Sequence, residues 1–328
     1  MDKTITCPDC GATGHIKDFD IHEKGAWCPI CNTFIWNNPE DNHQHTSLIL
    51  EQKTSSADAE EVNLVSSIKL NRHLSPLRYP GGKTKIINYL ITKLQTNKCD
   101  TFVEVFAGGA SFGLALLDAG IIKQLIINDI DKNLIAFWNE VINNKETLIN
   151  KLQTIKPNRE DYNQAKELLI SNASVSSSEL AWAYLLVNRL SYSGIQKAGC
   201  LGGKNGTNEA LLSRYNPDKL IKRINRIAEM KDNITILNED FKKCIETYYW
   251  DDKATLFIDP PYYGKGKKLY THYFTLEDHC TLSELITSLV TEFPDAADIL
   301  ITYDNSDTIK DLYEPHIPPT EITRKYSI

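Results

Sequence analysis

The chain has 328 residues, of which 41% are hydrophobic and 24% are charged, and its formal net charge is −7. That length suggests about two domains of ordinary size. Its apolar runs are far shorter than the roughly 18 residues that a membrane-spanning helix needs, so we expect no membrane segment. The negative charge excludes a general basic coat for nucleic acid but leaves local basic patches open.

The N-terminal segment, residues 1–36, contains two cysteine pairs with the spacing C-x2-C-x17-C-x2-C, at Cys7, Cys10, Cys28 and Cys31. Two such pairs can place four thiolates around one tetrahedral ion, so we predict a zinc ribbon that binds a structural Zn²⁺. A disulfide-stapled knuckle or a redox dithiol is the alternative. The N-terminus lacks the apolar core of a secretory signal, which favours zinc and a cytoplasmic location.

The ribbon has three lysines against five acidic residues, which favours docking of a protein partner over a contact with DNA. Residues 37–70 are polar and contain no aromatic residue, which indicates a linker with a short helix around residues 59–68.

From residue 71 to residue 328, apolar runs of strand length alternate with longer amphipathic stretches. The strand-like runs are 101–107, 124–129, 233–241, 254–262 and 298–306. Such alternation is typical of a parallel, doubly wound α/β sheet. In sheets of this kind ligands bind beyond the carboxyl ends of the strands, where several acids and glycines of this chain fall.

The first strand-like run leads into a glycine turn, and its residues Glu104, Phe106, Ala107, Gly108 and Gly109 are candidates for binding a ligand. Glycines at this place let the backbone approach a ligand and turn into a helix. Asp129 follows about 20 residues later, at the end of the next run, where α/β folds bind the ribose of a nucleotide. Without G-x-G-x-x-G, a dinucleotide is disfavoured, and an ordinary tight turn is the alternative.

The run LFIDPPYYGKG, residues 256–266, ends an apolar strand on Asp259. A carboxylate and a carbonyl that accept both hydrogens of an exocyclic amine favour a pyramidal nitrogen, whose lone pair can then attack a methyl group. Asp259 and the carbonyl of Pro260 can be these acceptors, because proline fixes φ and has no competing N–H. Tyr262 can stack on a base flipped out of a duplex. A polar strand end with a diproline turn is the alternative.

Eight segments, in this order, resemble the Dam-like, S-adenosylmethionine-dependent DNA adenine methyltransferases with alpha-group motif order, in which cofactor motifs precede the catalytic one. They are LRYPGGK (77–83), FVEVFAGGAS (102–111), NDID (128–131), LLVNRLSYSG (185–194), NEDF (238–241), FIDPPYY (257–263), FTLEDHCTL (274–282) and ILITYDNS (299–306). The resemblance implies a Rossmann-like methyltransferase sheet with an inserted, mainly helical target-recognition region at about 145–232. It also implies site-specific methyl transfer to the 6-amino group of a flipped adenine in double-stranded DNA.

The resemblance further assigns roles to individual residues. The catalytic residues would be Asp259, Pro260, Pro261 and Tyr262. S-adenosylmethionine would contact Tyr79, Gly81, Lys83, Glu104, Phe106, Ala107, Gly108, Gly109, Asp129, Asp240 and Phe241. Contacts with DNA are expected from Lys83, Lys197, Lys204, Arg214, Lys265, Lys267 and Lys268. Residues 195–231 contain eight basic and three acidic residues, a local charge of +5 that supports this surface.

Alternative functions remain open on the sequence alone. Amino methylation of cytosine uses a related site, although a serine or threonine more often stands there in place of Asp259, and RNA is a further possible substrate. A different class is a zinc-ribbon recruiting protein with an inactive methyltransferase half. The run EITRKYSI at the C-terminus predicts a strand without the successor that the family usually has, which would leave an unpaired edge unless another segment covers it.

Overall fold

The computed structural model describes residues 4–6, 13–15, 20–22, 25–27, 34–36, 45–52, 70–79, 82–94, 99–171, 175–203, 205–264 and 266–324. The chain divides into two compact units, Met1–Ser47 with Glu321–Ile328, and Leu48–Thr320. Among the described residues there is no apolar helix of membrane-spanning length.

The smaller unit contains short antiparallel strands. Strand β1 (Thr4–Thr6) pairs with β2 (Thr13–His15), and β3 (Asp20–His22), β4 (Gly25–Trp27) and β5 (Phe34–Trp36) form a three-stranded sheet. The predicted zinc ligands Cys7 and Cys10 fall in the connection between β1 and β2, and Cys28 and Cys31 fall between β4 and β5. All four cysteines lie outside the described residues.

The main sheet has seven strands in the described part of the chain. They are β6 (His45–Gln52), β7 (Thr101–Glu104), β8 (Gln124–Asn128), β9 (Ile234–Leu237), β10 (Ala254–Ile258), β11 (Asp298–Asp304) and β12 (Thr320–Arg324). Their order in the sheet is β12-β6-β11-β10-β7-β8-β9, and every neighbouring pair from β11 to β9 is parallel. The predicted α/β sheet is therefore confirmed, and its arrangement is consistent with a Rossmann-like methyltransferase.

Helices connect the strands, and most begin at a polar capping residue, such as Asp131, Asn158, Ser176 or Thr275. They are α1 (Ile87–Ile91), α2 (Ser111–Asp118), α3 (Lys132–Asn143), α4 (Lys145–Thr154), α5 (Arg159–Ile170), α6 (Ser177–Leu190), α7 (Asn208–Leu211), α8 (Pro217–Glu229), α9 (Phe241–Tyr248), α10 (Gly266–Leu269), α11 (Leu276–Glu292) and α12 (Asp307–Tyr313). Helices α4 to α8 fall within the segment 145–232, for which the sequence predicts a mainly helical insertion.

The order of the parallel strands fixes where a ligand can bind. Of the parallel strands β7 to β11, β7 comes first in the chain, and the others lie on both sides of it, β8 and β9 on one side and β10 and β11 on the other. The order thus reverses between β7 and β10. In an open α/β sheet the crevice at this reversal, beyond the carboxyl ends of the strands, is the usual ligand site. All five residues of β10 are buried, as expected of a central parallel strand.

Strand β6 lies inside the segment 37–70 that the sequence suggests is a polar linker. Its residues Leu48, Ile49 and Leu50 are buried, and Leu48 and Leu50 belong to one hydrophobic cluster with Ile301 and Tyr303 of β11. The apolar run in SLIL is short, but burial beside β11 outweighs the polar composition around it. The helix expected around residues 59–68 lies outside the described residues.

Candidate active site

A pocket with a volume of about 280 Å³ opens at the carboxyl ends of β7 and β10. Its lining combines side chains from strand ends that are far apart in the chain, among them Tyr79, Glu104, Asp129, Phe241 and Asp259. The pocket therefore lies at the reversal of strand order described above.

The turn between β7 and α2 forms one wall of the pocket. Gly108 has a φ of +47°, its N–H donates to Asp129 Oδ2 over 3.0 Å, and its carbonyl accepts from Trp138 Nε1 over 3.1 Å. A Cβ atom on Gly108 would lie 2.6 Å from the ring of Tyr79. Glycine is required here both for the positive φ and for the close approach of Tyr79.

Asp129, at the end of β8, points its carboxylate into the same turn. Besides the contact with Gly108, Oδ1 accepts from the N–H of Asp131 over 3.0 Å. Burial raises the pKa of this carboxyl to about 6, while the hydrogen bonds act in the opposite direction. The residue is thus a fixed hydrogen-bond acceptor at neutral pH.

Asn128 is a residue that the sequence analysis did not single out. Its side-chain amide donates to the carbonyls of Val105 (3.0 Å) and Glu239 (3.1 Å), and its oxygen accepts from the N–H of Glu239 (3.0 Å). These bonds join the ends of β7, β8 and β9 beneath the pocket. The sequence signal that could have identified it is an asparagine at the end of an apolar strand-like run.

Aromatic side chains form a second wall. The rings of Phe106, Phe241 and Phe274 lie 5.3–5.7 Å apart, centroid to centroid. Asp240, beside them, caps the N-terminus of α9 with its side chain. Phe106 and Phe241 were predicted to contact a ligand, whereas Phe274 was not, because it belongs to a segment without strand or helix periodicity.

Asp259 follows β10 at the centre of the reversal. Lys83 Nζ lies 2.5 Å from each of its carboxylate oxygens, and Thr302 Oγ1, on the neighbouring strand β11, donates to Oδ1 over 2.9 Å. The same ammonium donates to the hydroxyl of Tyr262 over 3.2 Å. The ring of Tyr262 meets Tyr270 edge to face at 6.2 Å.

Glu104, the last residue of β7, lines the pocket between these two walls. Its side chain is 3% exposed, and its Oε1 accepts from the N–H of Gly113 over 2.5 Å. Burial raises the pKa of this carboxyl to about 8, which the bond from Gly113 partly offsets. Such shifts concentrate at functional sites, in agreement with the convergence of motifs here.

Comparisons with known proteins agree with this geometry. The model of the family described as D12 class N6 adenine-specific DNA methyltransferase matches residues 79–327. The chain belongs to this family. It is an adenine-specific DNA methyltransferase, and the family depends on S-adenosylmethionine and acts on DNA.

Three type II methyltransferases are similar to parts of the chain. The chain is 24% identical over 240 residues to the type II methyltransferase M.MjaIII of Methanocaldococcus jannaschii, which is 65% of this chain and 79% of that protein. It is 25% identical over 257 residues to the type II methyltransferase M.CviBI of Paramecium bursaria Chlorella virus NC1A, 76% of this chain and 90% of that protein. It is 31% identical over 114 residues to the type II methyltransferase M.FokI of Planomicrobium okeanokoites, which is 33% of this chain and 18% of that protein.

The methyltransferase pocket gathers most of the residues that the sequence predicts for the cofactor and for catalysis. Those in its lining are Tyr79, Lys83, Glu104, Phe106, Ala107, Gly108, Gly109, Asp129, Asp240, Phe241, Asp259 and Pro261. Pro260 is buried beside them, and Tyr262 contacts Lys83. Gly81 lies outside the described residues.

The residues predicted to contact DNA are distributed differently. Lys83 is only 3% exposed and is bonded to Asp259, so the structure does not place it at an exposed surface, because the ion pair draws it inward. Arg214 is half-buried, and its carbonyl accepts from Arg189. Lys204, Lys265 and the side chain of Lys268 lie outside the description.

Lys197 and Lys267, by contrast, come together at the rim. Lys197 Nζ donates to the carbonyl of Lys267 over 3.2 Å, and the two ammonium groups lie 5.2 and 6.0 Å from the ring centre of Tyr273. Tyr273 also lines the pocket. Two segments that are 70 positions apart, the loop with Lys197 and the short helix α10 with Lys267, therefore meet beside the candidate active site.

In the part of the chain that the structure describes, no group of three or more His, Cys, Asp or Glu side chains is arranged to hold a metal ion. The predicted zinc site is a separate matter, since its four cysteines lie outside the described residues.

Proposed function

We propose that the pocket binds S-adenosylmethionine and that Asp259, Pro260 and Tyr262 present the 6-amino group of a flipped adenine to it. The carrying observation is that Asp259 lies across the reversal of strand order from the glycine turn and Asp129. This arrangement suits a cofactor on the β7–β8 side and a base on the β10 side. The order of the motifs along the chain, with the cofactor motifs before the catalytic one, supports an assignment to the alpha group.

The residues of the pocket fit the cofactor. Asp129 is held as an acceptor by two N–H donors, which suits ribose hydroxyls. Phe106 and Phe241 offer apolar faces to an adenine ring, and Asp240 stands beside them. The cofactor would supply a methyl group bound to a sulfonium sulfur: when the new N–C bond forms, the C–S bond breaks, a neutral thioether leaves, and the methylated amine then loses one proton.

The chain's own contribution to methyl transfer is orientation of the amine. In adenine the lone pair of the amine is delocalised into the ring, which makes the nitrogen a poor nucleophile. The Asp259 carboxylate and the Pro260 carbonyl, accepting one hydrogen each, would favour a pyramidal nitrogen with its lone pair directed at the methyl group. Tyr262 would hold the ring by stacking, and correct alignment then supplies much of the rate.

The test of this assignment is the substitution Asp259→Ala. We expect it to lower the rate of methyl transfer by at least about 10²–10³-fold, the cost of losing one preorganised hydrogen-bonding group. The affinity for S-adenosylmethionine, measured by calorimetry, should stay close to that of the wild type. Asp252→Ala, which changes an exposed carboxylate before β10, is the matched control. An Asp259→Ala enzyme that methylates DNA at the wild-type rate would overturn the assignment.

We further propose that the enzyme serves restriction-modification, and that its DNA surface includes Lys197 and Lys267. The type II methyltransferase names of its relatives support the first point. The meeting of the two lysines at the pocket rim supports the second. Modification-sensitive sequencing of DNA from cells that express the protein would identify both the methylated base and its sequence context; modified cytosine without modified adenine would contradict the proposed base.

The N-terminal segment, residues 1–36, is proposed to be a structural zinc ribbon. Each cysteine pair falls in the connection between two strands that pair with each other, β1 with β2 and β4 with β5. Hairpin connections of this kind can bring two C-x2-C pairs to one tetrahedral ion. Its acidic balance favours a protein partner over DNA.

The zinc proposal is tested by metal content. The purified protein should contain one Zn²⁺ per chain, and Cys28→Ser should lower this value markedly, because a three-thiolate site binds more weakly. Cys280→Ser, which changes a half-buried free cysteine, should leave it unchanged. Chelation should release the metal without loss of S-adenosylmethionine binding. A wild-type protein free of zinc after purification in zinc-containing medium would contradict the ribbon.

A further inference from the structure

We propose that Lys83 is a positioning residue for the methyl-transfer step, which acts by holding the carboxylate of Asp259, and that it is not a contact for the DNA backbone. The inference rests on the proposed function, in which Asp259 accepts a hydrogen bond from the target amine. It assigns to the segment that precedes α1 a role in the chemical step.

The geometry at Asp259 carries the inference. Lys83 Nζ approaches both carboxylate oxygens to 2.5 Å, and Thr302 Oγ1 donates to Oδ1 over 2.9 Å. Donors from two separate elements therefore fix the plane of the carboxylate. A carboxylate that is fixed before the base arrives loses no orientational freedom when the amine binds.

Lys83 connects Asp259 to the second proposed catalytic side chain. The same ammonium donates to the Tyr262 hydroxyl over 3.2 Å and lies 5.3 Å from the centre of the Tyr262 ring. One cation thus sets the relative positions of the group that would orient the amine and the ring that would stack on the base. A misplacement of about 1 Å at such a pair can lower a rate about 10²-fold.

Burial gives the ion pair its electrostatic importance. Lys83 is 3% exposed, so water screens its charge weakly. The carboxylate of Asp259 is 19% exposed, so the ion pair has little contact with water, and the short charge-assisted bonds hold the carboxylate in one orientation.

The same burial argues against a contact with a DNA phosphate. Lys83 would have to leave Asp259 and Tyr262 to reach one, and breaking a buried ion pair leaves an uncompensated charge, which is strongly unfavourable. Exposed lysines at the rim, Lys197 and Lys267, are available for phosphates without that cost.

The test compares Lys83→Met, Lys83→Gln and Lys83→Arg in the full-length protein. Single-turnover methylation is measured with saturating S-adenosylmethionine and saturating duplex DNA that carries the modified sequence; calorimetry and fluorescence anisotropy give the two binding constants. We expect both neutral variants to lower the single-turnover rate about 10²-fold, with binding of cofactor and DNA nearly unchanged. Lys83→Arg, which keeps the charge, should recover part of the rate. Lys222→Met, an exposed lysine on α8, is the matched control.

Two results would overturn the inference. One is a wild-type single-turnover rate in either Lys83→Met or Lys83→Gln. Two neutral variants are used so that the test still gives an answer if one of them does not fold. The other is a wild-type rate at saturating DNA together with weakened DNA binding, which would make Lys83 a DNA contact. Asp259→Ala is measured in parallel: if it stays active, the proposed function itself fails, whereas an inactive Asp259→Ala beside an active Lys83→Met rejects only the role of Lys83.

Discussion

Asp129 is half-buried at the pocket and has a pKa close to the physiological range. The N–H groups of Gly108 and Asp131 donate to its two oxygens, and burial raises the pKa of the carboxyl to about 6. The group is therefore ionised at pH 7 and takes up a proton in mild acid. A neutral carboxyl is a weaker acceptor than a carboxylate, so any ligand that donates to Asp129 should bind more weakly when the pH falls.

We predict that the affinity for S-adenosylmethionine decreases as the pH falls through about 6, because the ribose hydroxyls prefer the ionised acceptor. At neutral pH, Asp129→Asn should weaken binding about 10- to 100-fold, since hydrogen bonds to charged groups contribute about 1.5–3 kcal/mol. The variant should also lose the dependence on pH. Calorimetric titrations of S-adenosylmethionine across this pH range measure both the affinity and its pH dependence, with Asp252→Asn as the control. If Asp129→Asn keeps the pH dependence of the wild type, another group causes that dependence.

Single residues could be predicted from the sequence where a strand end fixes their place. Asp129 and Asp259 both follow apolar strands, and parallel strands bring their carboxyl ends to one edge, so their proximity to the pocket follows from the pattern. The partner of Asp259 could not be predicted in this way. Lys83 lies 176 positions from it, in a short turn without periodicity, and only the folded chain brings the two together.

The turn between β7 and α2 concentrates backbone strain next to the pocket. Gly108 and Ala110 both have positive φ values, +47° and +46°. For Ala110 this conformation costs about 1–2 kcal/mol, which the surrounding turn must offset. Ala110 therefore takes a left-handed conformation that glycine adopts more readily.

We predict different outcomes for alanine at two positive-φ glycines. Gly120→Ala, where nothing lies within 4 Å of the new Cβ, should lower the free energy of unfolding by about 1–2 kcal/mol and leave cofactor affinity intact. Gly108→Ala has the same conformational cost, but its Cβ would also lie 2.6 Å from the ring of Tyr79 and force that ring to move. Gly108→Ala should therefore weaken binding of S-adenosylmethionine in calorimetry. Equal affinities in the two variants would show that the approach of Tyr79 does not shape the pocket.

The parallel strands β7 to β11 were predictable from the sequence, but the segment after β10 was not. The run GKKLYTHYF has basic and aromatic residues without a period of two or 3.6. The short helix α10 forms there through tertiary contacts, and the stacking of Tyr270 on Tyr79 at 6.1 Å follows from it. The aromatic residues of this segment that line the pocket, Tyr270, Tyr273 and Phe274, were not predicted, because tertiary contacts determine where they lie.

At the scale of the whole molecule, strand β6 connects the segment before the catalytic domain to the main sheet. In the order β12-β6-β11 it is the neighbour of both β12 and β11. The sequence pattern could not reveal this, because a short apolar run within a polar segment gives little evidence of its partner. The burial of Leu48, Ile49 and Leu50 implies that this strand contributes to the stability of the catalytic domain.

We predict that Leu50→Ala lowers the free energy of unfolding by about 2–5 kcal/mol, the usual cost of truncating a fully buried leucine. Leu50 is 0% exposed and shares a hydrophobic cluster with Ile301 and Tyr303 of β11. Leu276→Ala, at a leucine that is 48% exposed, should change this free energy by no more than about 0.5 kcal/mol. Urea unfolding, with S-adenosylmethionine binding as the reporter of the catalytic domain, separates the two cases. If residues 37–70 were only a polar linker, the two substitutions would have equally small effects. If Leu50→Ala alone loses S-adenosylmethionine binding at a lower urea concentration, β6 belongs to the catalytic sheet.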